Sequence, residues 1–134
     1  MQKSKIYTSY YDISIIYIYL YTMYSKELLK GTLSAIVLEL LSQEERMYGY
    51  EISLRVKELS EGKIALKDGS LYPALQKMTA DGLLTFREEE VGGRLRKYYS
   101  LTKQGQKERL AYLAELKDFM ETLNRIVFPK FRTA

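Results

Sequence analysis

The stretch Gly69-Ser70-Leu71-Tyr72-Pro73-Ala74-Leu75-Gln76-Lys77-Met78 decides the fold. Leu71, Leu75 and Met78 recur at helical spacing and predict a short helix with one apolar side. Ser70 is placed as its N-cap and Pro73 in its first turn, where the missing N–H costs little. Gly82 ends it. The opposite side carries Ser70, Tyr72, Pro73, Gln76 and Lys77, an outward row of polar and aromatic groups.

Downstream the periodicity changes from helical to two. Leu84–Glu90 and Arg94–Leu101 are extended runs around Gly92-Gly93, a hairpin turn signal. Thr102 caps a last helix that runs to about Val127 and stops before Pro129. Upstream, Ser25 caps a first helix over 26–42, with Leu29, Leu33, Ile36, Val37, Leu40 and Leu41 on its apolar face. Gln43-Glu44-Glu45-Arg46 reads as a polar turn. A second helix spans Gly49–Leu59 with Ile52, Val56 and Leu59 facing inward, and Gly62 follows where a positive φ is common.

The order is helix, helix, helix, hairpin, long helix. The expected fold is mainly α with a two-stranded β-hairpin: a winged helix-turn-helix plus a long C-terminal dimerisation helix. Residues 25–102 form the DNA-binding domain and 103–128 the dimerisation helix. Residues 1–24 are an atypical extension. They hold seven of the thirteen tyrosines and no Gly, Ala, Pro or Arg. Their residue types are those of AT-rich codons, which suggests upstream sequence and a translation start at Met23. The apolar run Ile13–Met23 favours an extended strand, and it falls short of the about 20 residues that a spanning helix needs. No small-residue cleavage site follows it, so no secretory signal is read. Membrane contact is not expected, and the expected location is the cytoplasm.

Composition narrows the chemistry. The chain of 134 residues has no cysteine and no histidine. Disulfides, Cys/His zinc sites, thiol nucleophiles and His bases are therefore absent. No phosphate-cradling loop or metal spacing is found, and neither enzyme activity nor a cofactor is expected. The net charge of +4 permits a polyanionic partner without identifying one.

Several segments resemble the PadR family of transcriptional regulators: Leu28-Leu29-Lys30-Gly31-Thr32-Leu33, Tyr48-Gly49-Tyr50-Glu51-Ile52, Gly69–Leu75, Gly92-Gly93-Arg94 and Arg96–Thr102, with Gly105 early in the last helix. The likeness covers about residues 25–128. It implies dimeric DNA-binding repressors, often released by a small aromatic or amphipathic ligand.

Double-stranded DNA is thus the expected partner. Ser70, Tyr72, Pro73, Gln76 and Lys77 would enter the major groove, with Gln76 suited to adenine and Lys77 to guanine or phosphate. Ser70 reads equally as a cap alone, and Tyr72 as half-buried packing. Arg94, Arg96 and Lys97 supply phosphate contacts from the wing, while Tyr48 and Lys30 are weaker phosphate candidates. Alternation puts Arg94, Arg96 and Tyr98 on one face, and Lys97 must snorkel past Leu95 and Tyr99. Glu88, Glu89 and Glu90 are expected to face away from DNA or to pair with Arg94 and Arg96.

On the last helix, Leu110, Leu113, Leu116, Met120, Leu123 and Val127 form one apolar seam. Tyr112, Leu116, Phe119, Leu123 and Ile126 form its neighbour. One seam suits the protomer's own first helix and the other a second chain, giving a homodimer on a palindromic operator. A small aromatic effector would sit near Tyr112, Leu116 and Phe119. The alternative is a winged-helix module for protein–protein contacts without DNA binding. A further reading is a membrane-surface protein anchored by residues 1–24.

Overall fold

The computed structural model describes residues 24–131. Of the extension at 1–24, residues 1–23, on which its strand and start-site readings fall, lie outside the described residues. In chain order the elements are α1 (Lys26–Leu29), α2 (Leu33–Gln43), β1 (Met47–Tyr48), α3 (Gly49–Leu59) and α4 (Asp68–Ala80). They are followed by β2 (Leu84–Val91), β3 (Arg94–Leu101), α5 (Lys103–Val127) and a 3-10 turn (Pro129–Phe131).

The expected first helix is split. Ser25 caps it as predicted, its hydroxyl accepting from Leu28 N at 3.3 Å, yet α1 is only four residues long. Gly31 takes φ +94°, a left-handed conformation that stops a helix and that glycine alone adopts freely. The Thr32 hydroxyl donates to Leu29 O at 2.8 Å, and α2 starts afresh at Leu33.

Packing follows the apolar faces. Val37, Leu38, Leu40 and Leu41 of α2 meet Ile52 and Val56 of α3, Leu71, Leu75 and Met78 of α4, and Met47, Leu84 and Tyr99 of the sheet. Full burial of each such side chain contributes about 1.5–3 kcal/mol. Leu59, expected to face inward, is instead 67% exposed at the last turn of α3. That turn runs past the end of the core, and the chain leaves it through Gly62 at φ +82°.

The sheet has three strands rather than two, in the order β1-β3-β2. The hairpin is as predicted: Gly92 and Gly93 both have positive φ, 58° and 78°, as a two-residue turn between twisted strands demands. Its register pairs Leu84 with Leu101 and Val91 with Arg94. The added strand is the two-residue β1, with Met47 opposite Tyr99 and Tyr48 opposite Tyr98. It anchors the base of the wing to the helical body.

Thr102 caps α5 through a hydrogen bond from Gly105 N at 2.9 Å, and its own hydroxyl donates to Gly82 O at 2.7 Å. The first half of α5 packs on α2. Arg109 Nη1 meets Glu39 Oε1 at 2.6 Å, and the Tyr112 hydroxyl donates to Gly31 O. On the second half, Met120, Leu123, Ile126 and Val127 are exposed among the described residues. Among the described residues, no helix is long and apolar enough to cross a membrane.

Candidate nucleic-acid interface

Helix α4 is built so that one side is locked and the other free. Leu71 and Leu75 are fully buried and Met78 nearly so, which fixes the rotation of the helix about its axis. Ser70, Tyr72, Pro73, Gln76 and Lys77 therefore point outward, and all five are exposed.

The helix begins earlier than its sequence suggests. Lys67 is the N-cap, and its carbonyl accepts from Ser70 N and Leu71 N, both at 2.9 Å. Ser70 is thus the third helical residue and not the cap. Asp68 supplies the favourable negative charge in the first turn. Pro73 stands sixth, inside the helix rather than in its first turn, so the Gly69 carbonyl lacks its usual donor. Gly69 is exposed, and solvent can satisfy that carbonyl.

Tyr72 is only partly free. Its ring lies on the first residue of α3: a Cβ at Gly49 would stand 2.6 Å from Tyr72 Cε1 and 2.8 Å from its hydroxyl. The half-buried packing expected of Tyr72 is present, and the ring remains 38% exposed. Lys77 pairs with Asp81 at 3.0 Å one turn on. Both side chains are more than half exposed, so a phosphate could replace the carboxylate at little cost.

The wing carries the expected alternation. Tyr99 and Leu84 are buried on one face, while Arg94, Arg96 and Tyr98 share the other. Lys97 stays exposed on the apolar face by laying its ammonium 4.6 Å from the centroid of the Phe86 ring.

The carboxylates behave differently from expectation. Glu89 is the register partner of Arg96, yet it pairs with Arg46, whose sequence context is a polar turn. Arg46 reaches Glu89 with both terminal nitrogens, Nη2 to Oε1 at 3.2 Å, while its Cζ lies 4.1 Å from the Tyr98 ring centroid. The Arg46 hydrogen bond holds the Glu89 carboxyl below the usual carboxylate range. Arg94 and Arg96 enter no ion pair among the described residues. Arg96 instead stacks its guanidinium 4.3 Å from the Tyr48 ring centroid, and Tyr48 meets Tyr98 edge-on at 5.4 Å. Arg96 is pre-ordered without being neutralised.

These parts converge. One open concavity of about 760 Å³ is lined by Tyr48, Tyr72 and Gln76 together with Arg94, Arg96 and Lys97 of the wing. Tyr50, 59% exposed, joins them and was missed from sequence. Asp68 and Glu88 also lie on that wall, so it is mixed in charge. Lys30 is not part of it. It lines a separate, mainly apolar cavity of about 540 Å³ with Leu29, Leu33 and Leu66. The residues of the effector and dimerisation readings lie on α5: Tyr112, Leu113 and Leu116 are half-buried, and Phe119, Met120, Leu123 and Val127 are exposed.

Comparison with known proteins places this geometry. Residues 37–111 match the family model described as the transcriptional regulator PadR-like family. The chain is 34% identical over 88 residues to the negative transcriptional regulator PadR of Bacillus subtilis (strain 168), covering 65% of this chain. It spans 48% of that regulator's length. Among solved structures, a transcriptional regulator from Clostridium thermocellum superposes with a TM-score of 0.71 at 26% identity, over 78% of this chain and 99% of the other. Bacillus subtilis PadR in complex with operator DNA superposes with a TM-score of 0.57 at 32% identity, over 62% of this chain and 46% of the other. The match runs from the middle of α2 through the wing and into α5, and the chain belongs to the PadR-like family of transcriptional regulators.

Proposed function

We propose that this protein is a DNA-binding transcriptional repressor that acts as a homodimer on a palindromic operator in the cytoplasm. One observation carries the reading. Tyr72 and Gln76 of α4 and the arginines Arg94 and Arg96 of the wing line a single concavity, so a groove and its flanking phosphates can be engaged together. Ser70, Tyr72, Pro73, Gln76 and Lys77 take the base edges; Arg94, Arg96 and Lys97, with Tyr48, take the backbone. Lys30 lies apart from this surface and would reach only flanking phosphates. The operator complex of the Bacillus subtilis neighbour supports the assignment.

The partner is a second copy of the chain. Met120, Leu123, Ile126 and Val127 are between 43% and 70% exposed on one rod, an apolar surface that calls for cover. Pairing them with Leu113 and Leu116 would set two α4 helices about 34 Å apart, one DNA turn. A small aromatic effector would act from Tyr112, Leu116 and Phe119, where a ligand between the rods could change that spacing.

Sedimentation together with titration of a labelled duplex at low salt tests this reading. A dimer at micromolar concentration that binds duplex supports it. A monomer that ignores DNA refutes it, and would leave the fold to protein–protein contacts.

A further inference from the structure

Beside the interface stands an arginine, Arg46, that its nearness to the wing would count among the DNA-binding cations. Arg46 sits immediately before β1, beside Tyr98 of the wing, and it is exposed. Three observations give it another task. Both its terminal nitrogens are taken by Glu89. Its flat face covers the Tyr98 ring. Its two partners lie on different strands of the wing, Glu89 on β2 and Tyr98 on β3, while its own backbone leads into the helical body.

We infer that Arg46 is a positioning residue: it clamps the wing to the body through Glu89 and Tyr98, and it does not itself hold a phosphate. The inference rests on the DNA-binding reading above. The lower part of the wing is held by β1, which pairs with Tyr98 and Tyr99 of β3, by the packing of β3 on α2, α3 and α5, and by that of β2 on α4. A two-residue strand at the base gives little resistance to bending of the outer half of a hairpin whose strands are each eight residues long. The Arg46 fork adds an attachment farther out, from the body side of β1 to Glu89, five residues beyond the start of β2.

The clamp also sets Arg96. Its guanidinium rests on Tyr48, Tyr48 rests on Tyr98, and Tyr98 is covered by Arg46. Arg46, Tyr98, Tyr48 and Arg96 thus form one contiguous row. Only the Arg96 end is left without a carboxylate at ion-pair distance among the described residues. Glu89, which would repel a phosphate, is neutralised at the other end. The row therefore sorts two similar arginines into one that orders the wing and one that meets DNA.

The experiment removes the clamp without changing net charge. The double variant Arg46→Gln/Glu89→Gln is compared with wild type for duplex affinity across a salt series. A clamp predicts affinity weaker by about three- to tenfold, because a loosened wing is binding-competent only part of the time. It also predicts an unchanged dependence on salt, since no phosphate contact is lost. The reversed pair Arg46→Glu/Glu89→Arg restores the ion pair with the same net charge and should recover part of the loss. A salt slope lower by about one would make Arg46 a phosphate ligand and overturn the inference. Unchanged affinity in the double variant would overturn it too, by showing the clamp to be inert. If wild type fails to bind any duplex, the DNA-binding reading itself falls, a result distinct from these.

Discussion

The ring of Tyr72 lies on the backbone of Gly49, so closely that a methyl group there would stand 2.6 Å from Tyr72 Cε1. The contact joins the start of α3 to the outward edge of α4. A side chain at residue 49 would therefore have to push the Tyr72 ring aside. Gly49→Ala should destabilise the protein by about 1–3 kcal/mol, the usual cost of overpacking, and should displace Tyr72 from the concavity. Truncating the ring makes room, so Gly49→Ala should cost less in a Tyr72→Ala background. Urea denaturation of the four proteins measures this coupling. Additive effects would mean that the ring moves aside freely.

A second glycine is held more tightly. A Cβ at Gly105 would stand 2.1 Å from Leu83 O and 2.8 Å from Leu101 Cδ1. The first obstacle is backbone and cannot swing away. Gly105→Ala should therefore cost at or beyond the upper end of the about 1–3 kcal/mol range, by prising α5 off the turn that precedes β2. Gly69, also helical, meets nothing within 4 Å. Gly69→Ala should stabilise the fold by about 0.5–1 kcal/mol. Thermal melts of the pair should move in opposite directions.

Acid should weaken the junction between α2 and α5. The Glu39 carboxyl lies below its ordinary pKa, chiefly because the Gln43 amide donates to Oε2 at 2.9 Å, with Arg109 on Oε1 adding to the effect and slight burial opposing it. A carboxyl lowered in the folded state contributes stability that is complete above its unfolded pKa. That contribution disappears as pH falls through the folded value. The stability difference between wild type and Glu39→Gln should thus be constant above about pH 5 and shrink below it. Denaturation midpoints across a pH series check this, and a difference that persists at pH 2 would contradict it.

The wing makes a salt-dependent prediction. Arg96 is ordered on Tyr48 and has no carboxylate at ion-pair distance among the described residues, which suits it to the phosphate role proposed above. Arg96→Ala should weaken binding to all duplexes about equally and lower the salt slope by about one. Gln76→Ala should instead relax preference at one or two base pairs, by about 1–3 kcal/mol each. Anisotropy titrations of both variants separate the two roles.

The contrast between Gly92-Gly93 and Arg46 shows how far the sequence could be read. A two-residue turn with positive φ at both positions is a local requirement, and Gly-Gly announces it. The same holds for the Thr102 cap and the bounds of α3, which local chemistry sets. Arg46 finds its carboxylate 43 residues away, and β1 exists only because β3 lies beside it. Neither has a signature within a few residues of itself. The early start of α4 was hidden differently. Lys67 caps with its backbone alone, while Ser70, the better cap by type, lies inside the helix. The break at Gly31 was visible in principle, but the apolar period runs through it from Leu29 to Leu33 and masked the stop. In the site, the residues of α4 and of the wing were placed by periodicity. Tyr50 was overlooked because it belongs to a helix otherwise occupied with the core.

Selection of bound duplexes from a random pool by the purified full chain puts the most at risk. Two copies of α4, each offering Tyr72 and Gln76 beside an arginine-bearing wing, should enrich a two-fold symmetric motif whose half-sites lie about one helical turn apart. A pool that stays random after repeated rounds, or that yields a single unsymmetrical site, would contradict a paired DNA-reading surface.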